Sequence, residues 1–261
     1  MSDIVAYTLF SGSKGNAALI ATKKSQILID AGVSARSIES ALNSLGTSLA
    51  NISDIFITHD HSDHTRGLET ICKKYDVKVH MTKGSAEVIL SGALSHEMHE
   101  KAEIHELLYE YTTGDINVSS FKTPHDSHAS VGYIIKACGH TIGYATDIGH
   151  ITDTIRENLS LADSVIIEAN HDVTMLKDGP YPEFLKARIL SKYGHLSNED
   201  CGALCAELSE VRAKRFLLAH LSEQNNAPEE AFFTVYRALG NAEKRGISLA
   251  VAEPDVPTKL I

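Results

Sequence analysis

A chain of 261 residues, 43% of them apolar, is long enough to bury a full core; this excludes a disordered protein and fits one large domain or two small ones. Its 34 acidic against 24 basic side chains give a net charge of −10, which excludes a globally basic sink for nucleic acid, so a polyanion would have to be met by a local basic patch or by bound cations. The start Met1-Ser2-Asp3-Ile4 lacks the order of a signal peptide, no apolar run nears the roughly 18 residues of a membrane span, and four cysteines without a C-x-x-C pair suit a reducing compartment, so we expect a cytoplasmic protein with no membrane partner.

Ile4 to Phe10 reads as a strand, Ser11-Gly12-Ser13-Lys14-Gly15-Asn16 as a tight turn, and Ala17 to Ala21 and Gln26 to Asp30 as two further strands. A Gly/Ser turn serves either as a hairpin corner or as a set of backbone N–H donors for phosphate. Ser34 to Leu45 is an amphipathic helix with Ile38, Ala41, Leu42 and Leu45 on one face and Gly46 as its stop. Asp54 to Ile57 is a strand feeding Thr58-His59-Asp60-His61-Ser62-Asp63-His64. Then come a helix at Gly67 to Tyr75, a strand at Val77 to Met81 and a helix at Lys83 to Ser91, whereas Glu97 to Glu106 has no clear period.

Ile116 to Lys122 is a strand that opens into Thr123-Pro124-His125-Asp126-Ser127-His128. Val131 to Ala137 and His140 to Thr146 form a hairpin across Cys138-Gly139 and run out to Asp147. A helix at Thr152 to Leu159 precedes a buried strand, Ser164 to Glu168, that leads into Ala169-Asn170-His171-Asp172. Helices at Tyr181 to Lys192 and Asn198 to Leu208 flank Gly194-His195-Leu196-Ser197-Asn198. Phe216 to Ala219 is a strand ending at His220; Pro228 to Leu239 is a helix that starts on proline and stops at Gly240; Ser248 to Ala252 closes the chain with a strand. The opening strands are consecutive hairpins rather than βαβ units, and no linker, low-complexity segment or long repeat is visible. This order predicts one domain over 1–261: two mixed sheets with helices outside and ligand-type residues on strand-end loops along one edge.

The H-x-H-x-D-H stretch carries the chemistry. Imidazoles and carboxylates this dense suit Zn²⁺, Mn²⁺ or Fe; a polar loop capping a helix is the plain alternative. Consecutive side chains cannot all reach one ion, but alternating ones can. His59 and His61 point one way, Asp63 and His64 another, which predicts two neighbouring ions. His195, beside Gly194 and Ser197-Asn198 at an expected helix start, is placed to face an anion and either hydrogen-bond a phosphate oxygen or protonate a leaving alkoxide. His171 and Asp172 either orient a ligand histidine or form a packed polar turn, and Asp30 is a further candidate for orienting a ligand. Lys186, Arg188 and Lys192 on one helix, and Arg212, Lys214 and Arg215 before the last ligand strand, are the basic clusters.

Together these residues resemble the metallo-β-lactamase superfamily. The H-x-H-x-D-H loop is similar to its first metal motif, and His125, Asp147 and His220 stand where its later ligands stand. The resemblance implies an αβ/βα four-layer sandwich and two divalent ions, Zn or Mn: one on His59, His61 and His125, the other on Asp63, His64 and His220, with Asp147 bridging and a shared water made acidic. His128 competes with His125, whose distance to Gly132-Tyr133 fits the pattern better. Ser11-Gly12-Ser13-x-Gly15-Asn16, Glu168 to Asp172, Gly194 to Asn198 and Leu218 to Ser222 narrow the likeness to the WalJ or YycJ-type group, bacterial metallo-hydrolases regarded as DNA exonucleases. On that likeness Asp63 and His195 are catalytic, Ser11, Ser13, Asn16, His195 and Ser197 contact substrate, and the activity is a 5′-to-3′ exonuclease on DNA ahead of RNA. The alternatives are a ribonuclease Z-like nuclease, a thioester or lactone hydrolase, and a non-enzymatic metal-binding regulator. Oligomeric state is not legible.

Overall fold

A computed structural model describes residues 3–91 and 96–261; Met1 and Ser2, part of the start read for a signal peptide, lie outside them. The first sheet is built from β1 (Ile4–Phe10), β2 (Ala17–Thr22), β3 (Gln26–Ile29), β4 (Asp54–Phe56), β5 (Lys78–Thr82) and β6 (Ala102–His105). The second holds β7 (Glu110–Thr113), β8 (Ile116–Lys122), β9 (Val131–Ala137), β10 (His140–Ala145), β11 (Ser164–Glu168), β12 (Arg215–Ala219) and β13 (Ser248–Val251). A last strand, β14 (Thr258–Lys259), returns to the first sheet and pairs with β1, giving two seven-stranded sheets.

Both sheets follow one plan. In the first, β1, β2 and β3 form an antiparallel meander, and β4, β5 and β6 then add in parallel. In the second, β7 to β10 are antiparallel and β11, β12 and β13 add in parallel. β3 and β10 therefore occupy equivalent places, each the last of the meander and the first of the parallel run. A parallel strand is covered on both faces, so it reads as an unbroken apolar run. All five residues of β11, Ser164-Val-Ile-Ile-Glu168, are buried.

Three apolar layers divide the core. Ile20, Ile27, Ile29 and Phe56 from the first sheet meet Val118, Tyr133, Ile135 and Ile166 from the second. Ile38, Leu42, Leu68 and Ile71 pack helices onto the outer face of the first sheet; Ile155, Leu159, Leu204, Leu208 and Val235 do the same for the second. The result is the helix–sheet–sheet–helix sandwich expected from the sequence. The helix at Pro228–Leu239 begins on its proline, carries Glu229 and Glu230 in its first turn and stops at Gly240, whose φ of 46° suits glycine.

The differences lie at element ends and in polar segments. The stretch without a period resolves into a helix, His96–Lys101, running directly into β6. The helix expected over Tyr181 to Lys192 spans only Glu183–Ile189, because Pro182 restricts the chain before it and sits as the N-cap. β7 is an exposed strand of alternating exposure with no apolar run to signal it. A short helix at Val173–Asp178 starts on Asp172, whose side chain accepts from Met175 N at 2.8 Å. Among the described residues no helix is long and apolar enough to cross a membrane. All four cysteines are free, with Cys201 and Cys205 buried one turn apart.

Candidate metal centre

The ends of the parallel strands bring the ligand-type residues together. Asp30 follows β3, Asp147 follows β10 and His220 follows β12, with φ values of 63°, 57° and 56°. A left-handed conformation costs an L-residue about 1–2 kcal/mol, so each must be held by its surroundings. Asp30 N donates to Phe56 O at 2.9 Å, and Asp30 Oδ1 accepts from Thr58 N at 2.8 Å. His220 N donates to Ser11 Oγ at 2.8 Å, and His220 O accepts from Asn170 Nδ2 at 2.9 Å. The equivalent places of β3 and β10 thus deliver two aspartates to one edge of the sandwich from opposite sheets.

Most of the rings are aimed by the nitrogen they turn away from the cluster. His64 Nδ1 lies 2.8 Å from Asp30 Oδ2, His220 Nδ1 2.8 Å from Glu168 Oε1, and His125 Nδ1 3.1 Å from Gly194 O. His59 Nδ1 lies 3.0 Å from Thr58 Oγ1, which itself donates to Asp30. Oxygen acceptors on Nδ1 fix the tautomer that leaves Nε2 with its lone pair. His61 is the exception, with Nδ1 facing His125 Nε2 at 3.3 Å.

Among the described residues, four groups of side chains have ligand atoms within 4.8 Å of one another: His59, His61 and His125; His59, His64 and Asp147; Asp63, His64 and His220; and Asp147, Glu168, His195 and His220. Three buried atoms in these groups, His59 Nε2, His220 Nε2 and Asp147 Oδ2, have no hydrogen-bond partner. A buried polar atom without a partner costs about 1–3 kcal/mol, and a cation among these three, with Asp147 Oδ2 3.3 Å from His64 Nε2, would supply the missing partner. Imidazole and carboxylate donors in these groups fit a divalent metal.

The beta-lactamase superfamily domain profile matches residues 25–221. The chain belongs to the metallo-β-lactamase superfamily. Within it, the chain is 32% identical to the Bacillus anthracis exodeoxyribonuclease YycJ, over 97% of this chain and 96% of that protein. It is 34% identical to the exodeoxyribonuclease WalJ of Streptococcus pneumoniae serotype 2, over 97% and 95%. The crystal structure of the metallo-β-lactamase fold protein YhfI from Bacillus subtilis superposes with a TM-score of 0.73 at 16% identity, covering 98% of this chain and 99% of that one.

The electrostatics of this superfamily member are those of a site that attracts cations. Burial lowers the proton affinity of His59 and His125, leaving neutral imidazoles. Burial would do the same to His64 and His220, but Asp30 and Asp147 push His64 well up, and Asp147, Asp63 and Glu168 raise His220 to about 10. Asp147 is fully buried, which alone would raise it, yet His220 and His64 hold it well below the carboxylate range. Carboxylates that draw protons onto buried imidazoles in the metal-free chain offer the same charge to a metal ion.

His59, His61, Asp63, His64, His125, Asp147 and His220 all stand in the cluster. His128 does not; it is exposed, 3.5 Å from Asp60. Of the five residues expected at the substrate, Ser13 and His195 line the cavity over the cluster, about 260 Å³ in volume. The other three are buried and engaged elsewhere. Ser11 holds His220 N; the Asn16 amide reaches Gly12 O at 3.1 Å and His64 Nε2 at 3.1 Å; Ser197 caps the helix at Asn198–Val211 by accepting from Asp200 N. His171 is buried with its carbonyl accepting from Asn198 N, and it belongs to none of the four groups. Asp172 is the helix cap described above.

Glu168, read from the sequence only as the start of the Glu168 to Asp172 stretch, was given no role of its own there. It is fully buried, and both its oxygens are engaged: Oε1 accepts from His195 and His220 at 2.8 Å each, Oε2 from Ile148 N at 2.7 Å and Leu196 N at 3.1 Å. Burial would raise its pKa, but His195 and His220 bring it down to about 2. With four donors already, Glu168 acts by aiming rings rather than as a ligand. Its signal in the sequence was a charged residue closing the apolar strand Val165-Ile166-Ile167. His195 reaches this carboxylate because Gly194 lets the chain fold back: a Cβ there would lie 2.2 Å from Ile189 O.

Proposed function

We propose that this metal-dependent hydrolase is a dinuclear phosphodiesterase acting on DNA, a 5′-to-3′ exonuclease, in a single functional unit spanning 1–261. The observation that carries the reading is the cluster itself: seven ligand-type side chains from both sheets around three unpartnered buried atoms. His59, His61 and His125 would hold one ion and Asp63, His64 and His220 the other, with Asp147 shared. Near-full-length relatives named exodeoxyribonucleases support DNA as the substrate. Divalent ions held there, Zn or Mn, would supply Lewis acidity at phosphorus and lower the pKa of water.

The chain's own residues supply orientation and a proton. Glu168 holds His195 Nδ1, which leaves Nε2 as the ring atom free to act, 17% of the side chain remaining accessible. A carboxylate on Nδ1 fixes the direction of the ring, so His195 is placed to pass a proton from Nε2 to the departing 3′ oxygen. Ser13, on the same cavity wall, is placed to donate to a phosphate oxygen.

The test is digestion of an end-labelled, 5′-phosphorylated DNA duplex by protein loaded with Mn²⁺ or Zn²⁺, with Asp63→Ala as control. Stepwise release of nucleotides from the 5′ end, lost in the control, is the expected result. Release from the 3′ end overturns the direction. No cleavage of DNA with either metal, alongside cleavage of RNA, moves the assignment to a ribonuclease.

A further inference from the structure

We propose that Arg188, held across the mouth of the metal cavity by Asp126, is the cation that binds a phosphate of the substrate. The inference rests on the phosphodiesterase reading and deepens it. A chain with net charge −10 must gather positive charge locally to hold a polyanion. The wall of the metal cavity carries Asp63 and Asp147, and Arg188 is its one lysine or arginine among the described residues. Lys186, on the same helix, is turned away: its Nζ donates to Lys177 O at 2.7 Å and lies 3.1 Å from Glu183.

The guanidinium is positioned with one edge already taken. Nε donates to Asp126 Oδ2 at 2.5 Å and Nη2 to Asp126 Oδ1 at 3.1 Å, a side-on fork. That leaves Nη1 with both its hydrogens and the outer hydrogen of Nη2, the pair of donors that matches two phosphate oxygens. The side chain is 51% accessible, so this edge is open to a ligand. Asp126 Oδ1 also lies 3.3 Å from His125 Nε2, which sets the guanidinium beside the metal cluster rather than out on the surface. The backbone keeps the distance: Asp126 N donates to Tyr193 O at 3.0 Å, and His195 N to Ile189 O at 3.0 Å, so Arg188 and His195 are carried on one turn.

The competing explanation is mechanical: the ion pair only fastens the helix Glu183–Ile189 to the loop after β8. The two roles separate in salt dependence. Binding of a fluorescent, 5′-phosphorylated single-stranded DNA with phosphorothioate linkages is measured by anisotropy across a salt series, for metal-loaded wild type, R188Q, R188K and D126N. Metal content and melting midpoint are recorded for each. A phosphate contact adds about 0.7 to the slope of log affinity against log salt for single strands. R188Q is expected to lose about tenfold in affinity and to flatten the slope by about that amount. R188K and D126N, which keep a cation at position 188, should keep the wild-type slope. R188Q with a wild-type slope, or with a loss matched by D126N at unchanged slope, overturns the inference while leaving the nuclease reading intact. Wild-type protein that neither binds nor cuts DNA overturns both.

Discussion

Glu168 Oε1 lies 2.8 Å from His220 Nδ1, deep in the sandwich, and the same oxygen holds His195 Nδ1 at 2.8 Å. One carboxylate therefore aims a cluster histidine and the cavity histidine together. Glu168→Gln keeps the shape but replaces a pair of acceptor oxygens with an amide that accepts at its one oxygen and donates from its nitrogen. Metal affinity is expected to fall about 10–100-fold, as for other partners of ligand histidines. Hydrolysis should fall further, because His195 loses its aim as well. Chelator competition measures the first and turnover under saturating metal the second; normal values of both would remove Glu168 from the site.

Asp30 plays the matching part for His64 in the other sheet, in a left-handed conformation that Asn also tolerates. Asp30→Asn should keep the fold, because Oδ1 can still accept from Thr58 N, yet weaken metal binding by reversing the His64 tautomer. Asp30→Ala leaves Thr58 N and His64 Nδ1 without partners and adds backbone strain, so it should cost about 3 kcal/mol or more. Thermal melting with and without added metal separates the two. Equal destabilisation by both substitutions would mean that charge, not geometry, is what Asp30 contributes.

The fold and cluster were legible in the sequence where apolar runs end in charged or imidazole side chains. β1, β8 and β9 were read with their observed ends, and the H-x-H-x-D-H loop announces itself by density. The repeated plan of the two sheets left no trace, because equivalence here is one of strand order and direction, which unlike side chains satisfy equally well. Asp30 and Asp147 stand in equivalent places, but no local pattern says so. Glu168 was hidden for a related reason. Its partners His195 and His220 lie 27 and 52 residues away, so only the fold reveals that it holds both. Ser11, Asn16 and Ser197 have the composition of substrate contacts, but serine and asparagine serve loops and caps equally well, and burial separates the roles.

Stability should follow pH differently with and without metal. In the metal-free protein His220 is raised to about 10 from an ordinary value of 6.5, so the stability it contributes is complete below about pH 6.5 and is lost as pH rises through 10. Glu168 is lowered to about 2 from 4.5, so its contribution is complete above about pH 4.5 and is lost as pH falls toward 2. With chelator present, the melting midpoint should therefore decline on the alkaline side as pH rises from about 6.5 toward 10, and on the acid side too, because buried neutral His59 and His125 resist the protons that the unfolded chain takes up below about pH 6.5. With metal it should stay high through that alkaline range, since the ion carries the charge that the proton supplied. A chelated protein with a flat midpoint from pH 6.5 to 10 would contradict this.

The number of ions is the sharpest remaining prediction, because the two ligand groups can be damaged separately. His125 belongs to the group with His59 and His61, and His220 to the group with Asp63 and His64. Wild-type protein dialysed against Zn²⁺ should hold two ions per chain by elemental analysis. His125→Ala and His220→Ala should each hold one, while Asp147→Ala, which touches both groups, should weaken both sites. His220 is anchored through Ser11 and Glu168 and His125 through Gly194, so loss of either ring leaves the other group's supports in place. One ion in the wild type, lost entirely in both histidine variants, would instead mean a single site drawing on both groups, and His195 would then be the residue to test next as a ligand.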